Sequence, residues 1–118
     1  MMVVGKSEVK VGIVGLGTVG GGTATVLAEN ADIIAARATA IRLAAVADIA
    51  TEKSRAFLDG IGLTDTVLTD NWHDLIDNPD IDIIVETIGG TTLSREVISA
   101  ALKHFGVCVL KPELEGVK

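Results

Sequence analysis

Six residues, Gly15-Leu16-Gly17-Thr18-Val19-Gly20, carry the spacing best suited to chemistry in this 118-residue chain. They follow a short apolar run, Val11-Gly12-Ile13-Val14, and open a stretch with helical periodicity. In that setting the first glycine permits a tight turn. The second lets the backbone approach a pyrophosphate, and the third lets the helix pack closely on the strand. The free N–H groups at the helix start, near Thr18 and Val19, would face the anion with the positive end of the helix dipole behind them. The bare glycine pattern recurs by chance in many loops. Its place between a strand and a helix is what makes it informative. Gly21 and Gly22 extend the run. Each costs a helix interior about 1 kcal/mol relative to alanine, so close packing on the sheet or on a ligand is the expected reason for both.

A second candidate is Asp48, at the end of the apolar run Ile41 to Ala47. An acidic residue there can accept hydrogen bonds from the ribose hydroxyls of a dinucleotide. It lies farther along than the usual ~20 residues, an excess that a long first helix would explain. The next residue is Ile49 rather than an arginine, which leans towards NAD over NADP, although Lys53 and Arg55 could still reach round to a 2′-phosphate. A third element is Glu86-Thr87-Ile88-Gly89-Gly90-Thr91, a second glycine turn after a strand. Its glycines could approach the ribose on the nicotinamide side. His73 and His104 have no metal-ligand spacing around them, and Asp77, Asp80 and Asp82 do not match a calcium loop. There is no P-loop pattern, which argues against an NTPase. No catalytic residue and no metal ligand is assigned.

The elements that must position these residues follow from periodicity. Strands are expected over Val9–Val14, Ile41–Ala47, Thr66–Thr69, Ile81–Glu86 and Val107–Leu110. Between them fall a long helix from about Thr18 to Arg37 and a short one over Glu52–Leu58 with Thr51 as N-cap. A one- or two-turn helix follows over Asn71–Ile76, capped by Asp70 or Asn71, and then a helix from about Thr92 to His104. In the first helix Val19, Val26 and Ile33 recur every seven residues, as do Leu27 and Ile34, which predicts one apolar stripe. In the last, Leu93, Val97, Ala100 and Ala101 share a face. Strict strand–helix alternation predicts an α/β fold, a doubly wound parallel sheet of about five strands with helices on both faces.

Composition agrees with that fold. Aliphatic residues dominate an apolar fraction of 48%, and Phe57, Phe105 and Trp72 are the only aromatics, as suits strands buried on both faces. The length fits one domain, residues 1–118. A formal net charge of −6 disfavours nucleic acid as a partner. No targeting segment and no membrane-length apolar run is visible, so the expected setting is the cytoplasm. Cys108, the single cysteine, reads as a small buried hydrophobe rather than a reactive thiol.

Three stretches together resemble the N-terminal cofactor-binding domain of homoserine dehydrogenase. They are Val14 to Gly22 with its extra glycines, Val46-Ala47-Asp48, and Asn78-Pro79-Asp80 through Gly89-Gly90. The resemblance implies a Rossmann-type domain. It also implies the family's reaction, L-homoserine and NAD(P)⁺ to aspartate 4-semialdehyde and NAD(P)H, on the way to threonine and methionine. The family's cofactor residues carry over onto Gly15, Leu16, Gly17, Thr18, Val19 and Gly20, and onto Ile88, Gly89 and Gly90 near the nicotinamide. After the last strand the family usually reads Thr-Ala-Asn-Lys, whereas this chain reads Val109-Leu110-Lys111-Pro112. Lys111 is therefore out of register with the family's active-site lysine. The resemblance places substrate binding and dimerisation in a region beyond these residues. This polypeptide is then expected to hold NAD or NADP without turning over homoserine alone, and its partners are that region and a second copy in a homo-oligomer. A stand-alone nucleotide-sensing module, or the cofactor domain of another amino-acid dehydrogenase, is the alternative.

Overall fold

The computed structural model describes residues 8–88, 92–105 and 108–110, with the side chains of residues 104, 105 and 108–110 left aside. The first strand, β1 (Glu8–Val14), alternates its side chains between two cores. Val9, Val11 and Ile13 enter one, and Val14 enters the other. The strand is thus apolar on both sides, as a central parallel strand must be. Strands β2 (Ala40–Ala47), β3 (Val67–Thr69), β4 (Ile83–Glu86) and β5 (Cys108–Leu110) complete an all-parallel sheet in the order β3-β2-β1-β4-β5. The chain winds outward from β1 to β3, then returns to β4 on the other side of β1. The strand order reverses between β1 and β4, and a crevice opens at their carboxyl ends.

Helices cover both faces. Ala24 of α1 (Thr18–Glu29) and Leu58 of α3 (Thr51–Gly60) pack with Val9, Val11, Ile13, Leu43 and Val46. Leu75 and Ile76 of α4 (His73–Ile76) join Val97 and Ala101 of α5 (Thr92–Phe105) against Val14, Ala45, Ala47 and Ile84. A register shift after Val11 turns Ala44 and Ala45 toward the same core, where small side chains leave room for α4 and α5.

The single long helix expected from Thr18 to Arg37 is two helices, α1 and α2 (Ala31–Arg37). Asn30 divides them. Its N–H and its side-chain Nδ2 both donate to the Val26 carbonyl, while its own carbonyl accepts from Ile34 N–H to start the next helix. An asparagine offers the backbone this local alternative to a continued helix. The predicted heptad stripe is also corrected, for Val19 is 46% exposed, Val26 55% and Ile33 57%. The buried face of α1 is instead Gly20, Gly21 and Ala24, with Leu27 half-buried beside them. Side chains without bulk let the helix axis sit close to the sheet. The other helices and strands fall within two residues of expectation; strand β1 begins one residue earlier, at Glu8, and helix α3 runs two residues further, to Gly60. Thr51 is the first residue of α3 rather than its cap. Among the described residues no helix is long and apolar enough to cross a membrane.

Candidate functional site

The site begins with the turn between β1 and α1. Gly15 has φ +96°, a conformation in which glycine alone is unstrained. Its N–H donates to the Ala47 carbonyl at 2.8 Å, which moors the turn to β2. Gly20 could not carry a side chain, because a Cβ there would lie 2.0 Å from the Gly15 carbonyl oxygen. Gly17 is different, since a Cβ there would meet nothing within 4 Å. The first helical bond of α1 runs from Gly21 N–H to the Gly17 carbonyl, and Gly17 supplies no side-chain cap. The N–H groups of Thr18, Val19 and Gly20 therefore have no intrahelical partner. Open space over Gly17 and donors beside it form a cradle that could hold an anionic diphosphate. Leu16, half-buried between the two glycines, packs against the α1–α3 core.

Asp48 closes one side of this turn. Its Oδ2 accepts from Leu16 N–H at 2.7 Å, its Oδ1 accepts from Ala50 N–H at 2.8 Å, and its own N–H donates to the Thr69 carbonyl. One residue thus ties the ends of β2 and β3 to the glycine turn, its carboxylate holding the turn and its N–H holding β3. A carboxylate has about four acceptor positions, so capacity remains for ribose hydroxyls.

The β4 end closes the other side. Thr87 Oγ1 donates to the Gly15 carbonyl, and Thr87 N–H donates to the Val14 carbonyl at 3.0 Å. The same hydroxyl would lie 2.8 Å from a Cβ at Gly20. Glu86 is 3% exposed, and its carboxylate accepts from Ile88 N–H and from Ser94 Oγ, each at 2.6 Å. It fixes the start of the turn after β4 and the first turn of α5. Ile88 stands over the Gly15 turn, its backbone N 3.1 Å from where a Gly15 Cβ would be. Gly89, Gly90 and Lys111 lie outside the described residues.

Two recesses flank Asp48. One, of about 150 Å³, is lined by Val14, Gly15, Ala47, Asp48, Ile49, Asp70, Trp72, Ile88 and Leu93. The other, of about 410 Å³, lies on the α1–α3 side and includes Gly17, Thr18, Lys53, Ser54 and Phe57. Phe57 also explains Gly21, whose Cβ would come within 3.3 Å of its ring. Gly22 has no such reason, for it faces open space. Of the two cations expected near a 2′-phosphate, Arg55 is committed elsewhere. Its guanidinium bonds Asp59 and the carbonyls of Leu63 and Thr66, holding the turn out of α3. Lys53 is the cation that shares a recess with Asp48.

Sequence reasoning singled out Gly15 to Gly20, Asp48 and Ile88, and the fold brings all of them to one end of the sheet. It gave no place in the site to the Thr87 hydroxyl, to Trp72 or to Leu93, and offered Asp70 or Asn71 as a helix cap. The capping falls to Asn71, whose Oδ1 accepts from His73 N–H. The missed signal was positional, because every loop at the carboxyl end of a parallel sheet converges on the same crevice. His73 is exposed and stacks on Trp72, and no metal-ligating group of three or more occurs among the described residues.

A glycine cradle at the strand-order reversal, with an acidic residue closing the second strand, defines the dinucleotide-binding class of doubly wound domains. The chain belongs to the homoserine dehydrogenase NAD-binding domain family, whose model matches residues 15–113. It is 46% identical over 96 residues to the homoserine dehydrogenase of Pseudomonas aeruginosa, covering 81% of this chain and 21% of that protein. It is 41% identical over 97 residues to that of Methylobacillus glycogenes, covering 81% and 23%. The crystal structure of a homoserine dehydrogenase from Thiobacillus denitrificans superposes with a TM-score of 0.76 at 41% identity, over 87% of this chain and 23% of that one. The chain thus spans about a fifth of the length of the curated relatives it matches.

Proposed function

We propose that this chain holds NAD(P) across the carboxyl ends of β1, β2 and β4, and is the cofactor-binding part of an oxidoreductase that interconverts L-homoserine and aspartate 4-semialdehyde. The observation that carries this reading is the open cradle over Gly17, walled by Asp48 on one side and by Thr87 and Ile88 on the other. In it the backbone of Gly15 to Gly20 binds the pyrophosphate, with the N–H groups of Thr18 and Val19 directed at its charge. Asp48 orients the adenosine ribose. Ile88, with Gly89 and Gly90, borders the nicotinamide end. The cofactor itself supplies the hydride chemistry. This chain's residues bind it, orient it and exclude water from one of its faces. Substrate handling falls to the part of the relatives' length that this chain does not span.

NAD is the proposed preference. Asp48 adds negative charge where a 2′-phosphate would have to sit, and among the described residues Lys53 is the only lysine or arginine lining the recess they would share. Calorimetric titration of the 118-residue polypeptide tests both statements. NAD⁺ is expected to bind more tightly than NADP⁺, and L-homoserine with NAD⁺ is expected to give no NADH. Absence of binding by either dinucleotide would remove the reading. A homoserine-dependent rate would show that catalysis needs less of the relatives' length than proposed.

A further inference from the structure

We propose that Asp70 and Trp72, in the loop after β3, read the adenine base of the cofactor, with Asp70 accepting a hydrogen bond from its exocyclic amine. The inference rests on the reading of the site as an NAD(P) cradle. With the pyrophosphate over Gly17 and the ribose at Asp48, the base is the next group outward. The recess on that path bordered by Asp70 and Trp72 is the one of about 150 Å³. A cavity near that size holds one small aromatic ring, so it would take the six-membered ring of the purine, which carries the amine, and leave the other ring at its open side. Its walls beside Asp48 and Trp72 are apolar at Val14, Ala47, Ile49 and Leu93, as a base face requires. Ile49 is 89% exposed, a cost for an isoleucine that a base lying against it would remove.

The loop shows how its polar groups are divided. Thr69 Oγ1 donates to Asp74 and accepts from Asn71 N–H, and Asn71 Oδ1 accepts from His73 N–H. These side chains hold the loop. Trp72, half-buried against the α4–α5 core, is kept in place by His73, whose ring stacks on it with centroids 3.7 Å apart. Asp70 has no hydrogen-bond partner among the described residues, and it lines the recess. A carboxylate can only accept. Among the groups a purine presents, it selects a donor, and adenine places an amine where hypoxanthine places a carbonyl oxygen.

Trp72 is the sole tryptophan, so its fluorescence reports filling of this recess. Titration with NAD⁺ and with nicotinamide hypoxanthine dinucleotide reads the selection directly. The chain is expected to bind NAD⁺ about five- to tenfold more tightly, as suits a partly solvated hydrogen bond to a charged acceptor. Asp70→Ala breaks no contact that holds the loop, so it is expected to fold and to bind the two dinucleotides equally. Loss of negative charge alone would shift both affinities together, and the ratio is therefore the reading that matters. Equal affinity in the unsubstituted chain, or a preference that survives Asp70→Ala, would overturn base reading while leaving the cofactor cradle intact. Failure to bind either dinucleotide would overturn both.

Discussion

Gly17 and Gly20 belong to one turn, yet an added methyl group meets different things at each. At Gly20 it runs into the Gly15 carbonyl at 2.0 Å, and the obstacle is backbone. Gly20→Ala is therefore expected to destabilise the chain by about 3 kcal/mol, the upper end of ordinary overpacking. At Gly17 the methyl enters empty space, the space proposed for the diphosphate. Gly17→Ala is expected to keep the melting temperature within a degree or so of the parent while NAD⁺ binding disappears from calorimetry. Equal behaviour of the two variants would contradict the division of roles. The sequence made both glycines visible through their spacing, and it made Asp48 visible through its place after an apolar run. It could not show that the Asp48 carboxylate is tied to Leu16 N–H, or that Thr87 grips the Gly15 carbonyl, because both contacts join segments far apart in the chain. Asp70 was hidden for another reason. A loop aspartate before a short helix has the composition of a cap, and only the bonding of its neighbours shows that another residue has taken that work.

Elements were legible where burial and periodicity coincide, and misread where they part. The central strand β1 was found because both of its faces are apolar. The face of α1 was misread because its contact surface is made of residues with almost no hydrophobic signal, Gly20, Gly21 and Ala24, while its valines point outward. That inversion separates the glycines by purpose. Gly21 yields to Phe57, but Gly22 touches nothing and retains only the backbone entropy cost of a helical glycine. Gly22→Ala is expected to stabilise the domain by about 1 kcal/mol, read as a rise of about 4 °C in melting temperature. A fall would mean that this face is not open. The turn after β4 depends on Glu86 in the opposite sense. Removing its buried carboxylate strands the Ile88 N–H and the Ser94 hydroxyl together. Glu86→Ala should cost about 3 kcal/mol in chemical denaturation, since one buried and one part-buried donor lose their acceptor. A cost below about 1 kcal/mol would mean that water reaches both donors.

At the scale of the whole molecule, the order β3-β2-β1-β4-β5 gathers four separate loops at one end of the sheet. Alternation of strands and helices already implied that outcome, since parallel strands share a carboxyl end. What alternation leaves open is how firmly the loops are held before a ligand arrives. Asp48 links the ends of β2 and β3 to the glycine turn, and Thr87 links β4 to it, so the cradle is bound to three neighbouring strands in advance. A preformed cradle implies that ligand binding adds stability without rearranging the sheet. With NAD⁺ at 100 times its dissociation constant, the gain should approach about 2.7 kcal/mol. The melting temperature should rise with the logarithm of NAD⁺ concentration. Backbone amides at the carboxyl ends of β1, β2 and β4 should exchange more slowly in the complex, while those at the amino ends, remote from the cradle, change little beyond the global shift. Gly17→Ala should show neither response. Protection spread evenly over the sheet, with no excess at the three carboxyl ends, would mean that the loops become ordered only when the ligand binds.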